Sequence, residues 1–215
     1  MSKECVSMWN ENRSGAAVAG VGGRLESPMV GAQALLDASQ AQQSKLFRVR
    51  ERPFLELVNV RGEANDGAFI AAVEGVIGAR LPAKPNTVVQ GNGYDALWLG
   101  PDEWLVRSSE ARTPELEGKL RTALGALFAS VVDVGSGYTV LEVSGERVRD
   151  VISRGCPLDL HPKVLQAGQC VQSHYFKAPV VLVPIAGDTF ELIVRRSFAD
   201  YFLRILADAA APIVS

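Results

Sequence analysis

The scarce reactive groups of this chain are three cysteines, Cys5, Cys156 and Cys170, and two histidines, His161 and His174. A thiolate with a nearby imidazole base is the simplest nucleophilic pair they could form. Cys156-Pro157-Leu158-Asp159-Leu160-His161-Pro162 holds both types, but between two prolines and directly after a helical stretch. That context describes a turn closing a helix, with no orienting group for the base. Cys170, Gln172 and His174 alternate, so a strand would put them on one face as a small polar site or as a subunit contact. Gly135-Ser136-Gly137 has two glycines but neither the GxGxxG spacing nor a Lys-Ser/Thr pair, and a tight hairpin accounts for it. Asp102-Glu103 and Asp159 sit at turns, where carboxylates cap and solvate. The spacing therefore supports no catalytic residue and no metal ligand set, and it assigns no cofactor-binding residue.

The odd cysteine count, the wide spacing and the lack of a CxxC pair exclude a disulfide framework and a structural zinc site. An apolar fraction of 47% and a charged fraction of 21% over 215 residues are those of a globular protein. Its formal charge of −2 offers no general attraction to nucleic acid. Arginines enrich the second half, but Glu146, Asp150, Glu191 and Asp200 interrupt them, which describes a solvated or subunit-contacting face. No apolar run of about 18 or more residues exists to span a membrane, and Met1 to Arg13 lacks the basic start and apolar core of a secretory signal. A cytoplasmic protein with neither nucleic-acid nor membrane partners is the expectation.

Residues 1–44 are rich in glycine and alanine, with only Val30 to Leu36 able to form a short helix. They are expected to be an extended or flexible arm, ordered by draping a partner. From Phe54 the pattern changes. Phe54 to Val60 reads as a strand. Asp66 caps a helix burying Phe69, Ile70, Val73, Val76 and Ile77, which Pro82 and Pro85 stop. Strands follow at Thr87 to Gln90, Ala96 to Leu99 and Trp104 to Arg107. A helix with Thr113 as cap, Pro114 at its first position and a Leu116/Leu120/Leu124 stripe completes the unit.

The order then recurs. Strands at Val131 to Val134 and Tyr138 to Val143 lead to a helix capped by Ser144, burying Val148, Val151 and Ile152 and ended by a left-handed Gly155. Strands come next at Cys170 to Tyr175, Val180 to Ile185 and Phe190 to Val194. A last helix starts at Ser197, with Asp200 as capping-box partner. Leu57 to Gly62 answers Leu141 to Gly145, and Trp104 to Arg107 answers Leu192 to Arg195. The implied fold is α+β: two duplicated strand-helix-strand-strand-strand-helix units with mainly antiparallel sheets, at 45–128 and 129–215. Each unit is too small to bury much alone, so the two pack as one body.

Val132-Asp133-Val134-Gly135-Ser136-Gly137-Tyr138-Thr139-Val140-Leu141-Glu142-Val143-Ser144-Gly145 and Arg154-Gly155-Cys156-Pro157-Leu158-Asp159-Leu160-His161-Pro162 are distinctive blocks. With Thr189 to Tyr201 and Leu99 to Leu105, they make the chain resemble the gamma subunit of heterotetrameric sarcosine oxidase over most of residues 54 to 210. The resemblance implies an aminomethyltransferase-like, folate-binding-like fold and a non-catalytic structural subunit working with alpha, beta and delta partners. It implies an oxidoreductase complex that demethylates sarcosine to glycine with hydrogen peroxide and formaldehyde or methylene-tetrahydrofolate. FAD, FMN, NAD, tetrahydrofolate and zinc are implied in the partner subunits, and none in this chain. Aminomethyltransferases carry an acidic element where this chain has Lys177-Ala178-Pro179, so the direct acid/base candidate for folate chemistry is missing. The alternative implied by the same fold is a stand-alone folate-dependent one-carbon transfer protein. A third branch of that fold maintains iron–sulfur clusters, and Gly168-Gln169-Cys170 is similar to part of its signature.

Overall fold

A strand pairs where period-two apolar residues can bury one or both faces, and here ten strands do so in two five-stranded antiparallel sheets. The structure, a computed structural model, describes residues 26–214. Its strands are β1 Arg48–Arg52, β2 Leu57–Gly62, β3 Val88–Gln90, β4 Tyr94–Gly100, β5 Glu103–Ser108, β6 Ala129–Asp133, β7 Tyr138–Ser144, β8 Val171–Tyr175, β9 Ala178–Ala186 and β10 Thr189–Arg195. Its helices are α1 Gln33–Gln42, α2 Gly67–Ile77, α3 Leu116–Leu124, α4 Val148–Ser153 and α5 Ala199–Val214.

One sheet runs β3-β4-β5-β2-β6 and the other β8-β9-β10-β7-β1. The expected duplication is present: β2-α2-β3-β4-β5-α3 and β7-α4-β8-β9-β10-α5 have the same order and the same pairing. The fifth strand of each sheet, however, crosses the expected boundary at 128/129. β1 pairs with β7 (Val49 opposite Val143), and β6 pairs with β2 (Val60 opposite Val131). The two units are thus laced by an exchanged strand. The ladders also correct the internal alignment. Val60 faces Trp104 and Leu141 faces Leu192, so Val60 rather than Leu57 corresponds to Leu141. Leu57 packs between the sheets and Leu141 under the helices, the face change that a slip by an odd number of residues produces.

Four layers result. α2 and α3 cover one sheet through Phe69, Val73, Trp104 and Leu120. α1, α4 and α5 cover the other through Leu36, Val151, Phe190 and Phe202. Between the sheets lie Leu57, Leu97, Leu105, Val140, Val183 and Ile193. At one end the layers are zipped by the Thr87–Gln169 bridge and by the Val88 N–H donating to the Gly168 carbonyl at 2.9 Å. At the other end β1 and β6 stay apart.

Several local expectations change in three dimensions. Phe54 lies in a turn with φ 60° instead of opening β2. Asp66 does cap α2, its Oδ1 accepting from the Ala68 N–H at 2.8 Å, but Gly78 (φ 74°) ends that helix before either proline. Thr113 does not cap α3. Glu56 Oε1 accepts from the Glu115 and Leu116 N–H groups at 2.5 and 2.7 Å, a cap from 60 residues away. Ser144 makes no side-chain cap for α4. Gly155 is needed for close approach, because a Cβ there would lie 2.4 Å from the Phe176 ring. Asp200 holds Arg204 at 2.9 Å.

The arm expected over 1–44 falls outside the described residues as far as 25. From Met29 it packs on this chain itself: Met29, Ala32 and Leu36 share a helical face and are buried against the β8-to-β1 sheet. Ser39 Oγ accepts from the Val49 N–H at 3.0 Å and so covers the outer edge of β1.

Candidate functional site

The two thiol candidates are built into cores. Cys156 is buried under α4, with Sγ 3.6 Å from Ser173 Oγ. His161 is exposed in its turn: its N–H donates to Asp159 Oδ1 at 2.9 Å and its Nδ1 accepts from the Lys163 N–H at 3.1 Å. Cys156 and His161 thus each have other partners, and the segment between them forms the turn that its prolines suggest. Cys170 lies between the sheets just before β8, its Sγ donating to the Trp98 and Thr87 carbonyls at 3.4 and 3.5 Å. Burial pushes that thiol up to about 11, well above the nucleophilic range. Gln172 donates across to the Leu99 carbonyl at 2.8 Å, and the exposed His174 bonds the Phe176 carbonyl through Nδ1 at 3.0 Å. The polar row of Cys170 and Gln172 thus joins the two sheets. Among the described residues, no group of three or more His, Cys, Asp or Glu is arranged to hold a metal ion.

The remaining turn residues have structural partners. Glu103 takes Arg61 and Asn59 at 2.5 and 2.7 Å, while burial raises and these partners lower its carboxyl, with the net effect downward. Gly135–Gly137 is a single 3-10 turn carrying the chain from β6 in one sheet to β7 in the other. It is therefore not the expected hairpin. Asp133 Oδ1 accepts from the Gly135 N–H at 2.8 Å and holds that crossing. Lys177 is exposed at the β8–β9 turn.

Two features were missed from the sequence. The first is a buried ion network between the sheets. Arg107 of β5 and Glu191 of β10 are 3% and 1% exposed and pair across the layer. Arg107 also holds Asp95 at 3.0 Å, and Arg52 of β1 pairs with Glu191 and donates to the Ser109 carbonyl. Burial pulls the Arg107 guanidinium below its usual range, against the pull of Asp95. Alternation puts Arg107 on the face of Leu105 and Glu191 on that of Ile193, but Glu103, Thr189 and Arg195 share those faces, so the period alone does not mark either charge as buried.

The second feature is a cavity of about 690 Å³ at the open end, between β1 and β6. Its walls include Phe54, Leu57, Pro114 and Val140, with Glu51, Glu56, Asp133, Arg112 and Arg196 among its polar groups. It is assembled from the turns before β2 and after β6 together with parts of β1, β2, β7 and α3, segments far apart in sequence.

These features define the class of protein: two fused α+β repeats with laced sheets, an ion-bridged interior and one open end. The same architecture occurs in the glycine cleavage system aminomethyltransferase T of Bartonella henselae, at a TM-score of 0.60 and 10% identity, over 80% of this chain and 48% of that one. The match to the Sarcosine oxidase, gamma subunit family covers residues 61–212, and the chain belongs to that family.

Two curated relatives are similar over most of their length. The sarcosine oxidase subunit gamma of Corynebacterium sp. (strain P-1) is 32% identical over 178 residues, 82% of this chain and 86% of that one. The corresponding Arthrobacter sp. subunit is 32% identical over 171 residues, 78% and 81% of the two chains. A chain of heterotetrameric sarcosine oxidase from Corynebacterium sp. U-96, in complex with pyrrole 2-carboxylate, matches at a TM-score of 0.79 and 27% identity. That match covers 89% of this chain and 97% of the other. Among the described residues no helix is long and apolar enough to cross a membrane.

Proposed function

We propose that this chain is the non-catalytic gamma subunit of a cytoplasmic heterotetrameric sarcosine oxidase, assembled with alpha, beta and delta subunits. In this reading the complex oxidatively demethylates sarcosine to glycine with hydrogen peroxide and formaldehyde or methylene-tetrahydrofolate. FAD, FMN, NAD, tetrahydrofolate and zinc belong to the partners. The observation that carries the reading is the 97% coverage of a chain of the U-96 heterotetramer at a TM-score of 0.79, which likens this chain to one component of an assembly.

The surface supports it. Phe128, on the turn between α3 and β6, is 99% exposed. A single exposed apolar side chain is ordinary, but aromatic groups of this kind are the usual anchors of interfaces. Cys156, Cys170, Arg107 and Glu191 have internal partners, consistent with a supporting role.

The test is affinity capture of the chain at native expression, with the mass and absorbance spectrum of the eluate recorded. Larger partners and a flavin spectrum are the expected result; a colourless protein eluting alone would overturn the reading. The fold shared with aminomethyltransferase T favours one alternative, a stand-alone folate-dependent one-carbon transfer protein. Calorimetric titration with tetrahydrofolate tests it, and heat of binding by the isolated chain is the outcome that would favour it.

A further inference from the structure

The cavity between β1 and β6 contains a buried carboxylate with one oxygen left over. Glu56 is 6% exposed; Oε1 accepts from the two α3 amides, and Oε2 has no hydrogen-bond partner among the described residues. An unpaired buried carboxylate oxygen is costly unless a donor reaches it. The charge around it is one-sided. Glu26, Glu51 and Asp133 also line the cavity, and none forms an ion pair among the described residues. Glu51 accepts from the Ser27 and Thr139 hydroxyls and Asp133 from an amide. Glu115 and Glu117 are neutralised along their own helix by Lys119 and Arg121.

Three arginines oppose these groups. Arg52 is committed to Glu191, Arg112 stacks over the Tyr94 ring at 4.7 Å, and Arg196 lines the cavity without an acidic partner among the described residues. Among the described residues, four carboxylates without an ion-pair partner thus line the cavity with two arginines that also lack one. Beside Ser136, Tyr138 and Thr139 the remaining walls are apolar, and the volume is that of a small-molecule site.

We infer that this cavity binds an organic cation: an ammonium or guanidinium group on a small apolar body, with its charge seated at Glu56 and its body against Phe54, Leu57 and Val140. A cationic donor completes Oε2, and the apolar part displaces water from the walls. The inference does not depend on the proposed function, since it rests on this chain's own residues. The same charge can arrive on a free amine or on a lysine or arginine of a neighbouring subunit.

The probe is benzylamine, with benzyl alcohol as its neutral counterpart, titrated calorimetrically into the full-length chain. Benzylamine is expected to bind at least tenfold more tightly than the alcohol, a difference of about 1.4 kcal/mol. Glu56→Gln, which keeps an oxygen for the α3 cap, is expected to remove that preference, and Glu51→Gln to weaken binding two- to threefold. Should Glu56→Gln unfold, amide chemical-shift mapping on the unaltered chain decides, with shifts expected at Glu56, Glu115 and Leu116. Equal binding of amine and alcohol, no binding, or shifts centred elsewhere would each overturn the inference. Repeating the titration on the assembled oxidase separates the sources: retained binding assigns a free amine, and lost binding assigns a partner's cationic side chain.

Discussion

Glu191→Gln tests whether the two sheets are held by a dry ion network. The substitution preserves shape and removes one negative charge shared by Arg107 and Arg52. Arg107 keeps Asp95, at 3.0 Å, but loses the partner that faces it across the layer. At about 4 Å and an effective dielectric of about 20, one ion pair interacts by about 4 kcal/mol. Breaking a buried pair by removing one partner costs about 3–5 kcal/mol, because the other charge stays buried. For a chain of this size each kcal/mol lowers Tm by roughly 2–4 °C, so the variant should melt roughly 6–20 °C lower.

Urea unfolding followed by tryptophan fluorescence is a suitable assay, since Trp104 is buried between its sheet and α2. A double-mutant cycle with Arg107→Met isolates the pair. The Arg107→Met/Glu191→Gln protein should be more stable than the sum of single losses predicts, by about 1–3 kcal/mol. A loss below about 1 kcal/mol for Glu191→Gln, or strict additivity, would refute the reasoning and mean that water reaches these charges.

Further outcomes follow from the same geometry. Phe128→Asp should leave the chain's Tm nearly unchanged and weaken its assembly with partner subunits by about 2–3 kcal/mol, read by co-purification and analytical ultracentrifugation. Equal assembly would remove Phe128 as an anchor. Cys156 and Cys170 should resist iodoacetamide at neutral pH until the protein unfolds, as peptide mass mapping will show. The folded state holds the Cys170 proton more tightly than the unfolded state, whose thiol titrates near about 8.5. That contribution is therefore complete below the ordinary thiol value and drains away as pH rises through about 11. Cys170→Ala should flatten this alkaline limb of stability against pH. Gly145→Ala should cost about 1–3 kcal/mol, since φ is 127° and a Cβ would lie 2.4 Å from the Leu46 carbonyl oxygen. Gly118→Ala, in α3 with open space around it, should stabilise by about 0.4–1 kcal/mol in the same denaturation assay.

Local pattern was sufficient for most elements. The Phe69/Ile70/Val73/Ile77 stripe, Asp66 as cap, and the alternating apolar residues of β5 and β10 each concern neighbours in sequence, which fix helical or extended geometry by themselves. The duplicated order and the antiparallel sheets were legible for the same reason, as was the turn that carries Cys156 and His161. Everything that joins the repeats was illegible. Glu56 replaces Thr113 as the α3 cap because folding brings a carboxylate from the residue before β2 to amides 60 residues later.

Gly155 reads as a stop from its position but serves Phe176, which only the β8–β9 hairpin brings near it. The cavity draws its walls from β1, β2, α3 and the β6–β7 crossing, none of which signals the others in sequence. Sequence by itself determined which residues form strands and helices, because backbone dihedrals and period-two or period-3.6 burial are short-range properties. Tertiary structure alone decided that β1 and β6 trade sheets, that Arg107 meets Glu191, and that one end stays open. Those outcomes depend on pairing between distant segments, where the energy lies in contacts no local pattern encodes.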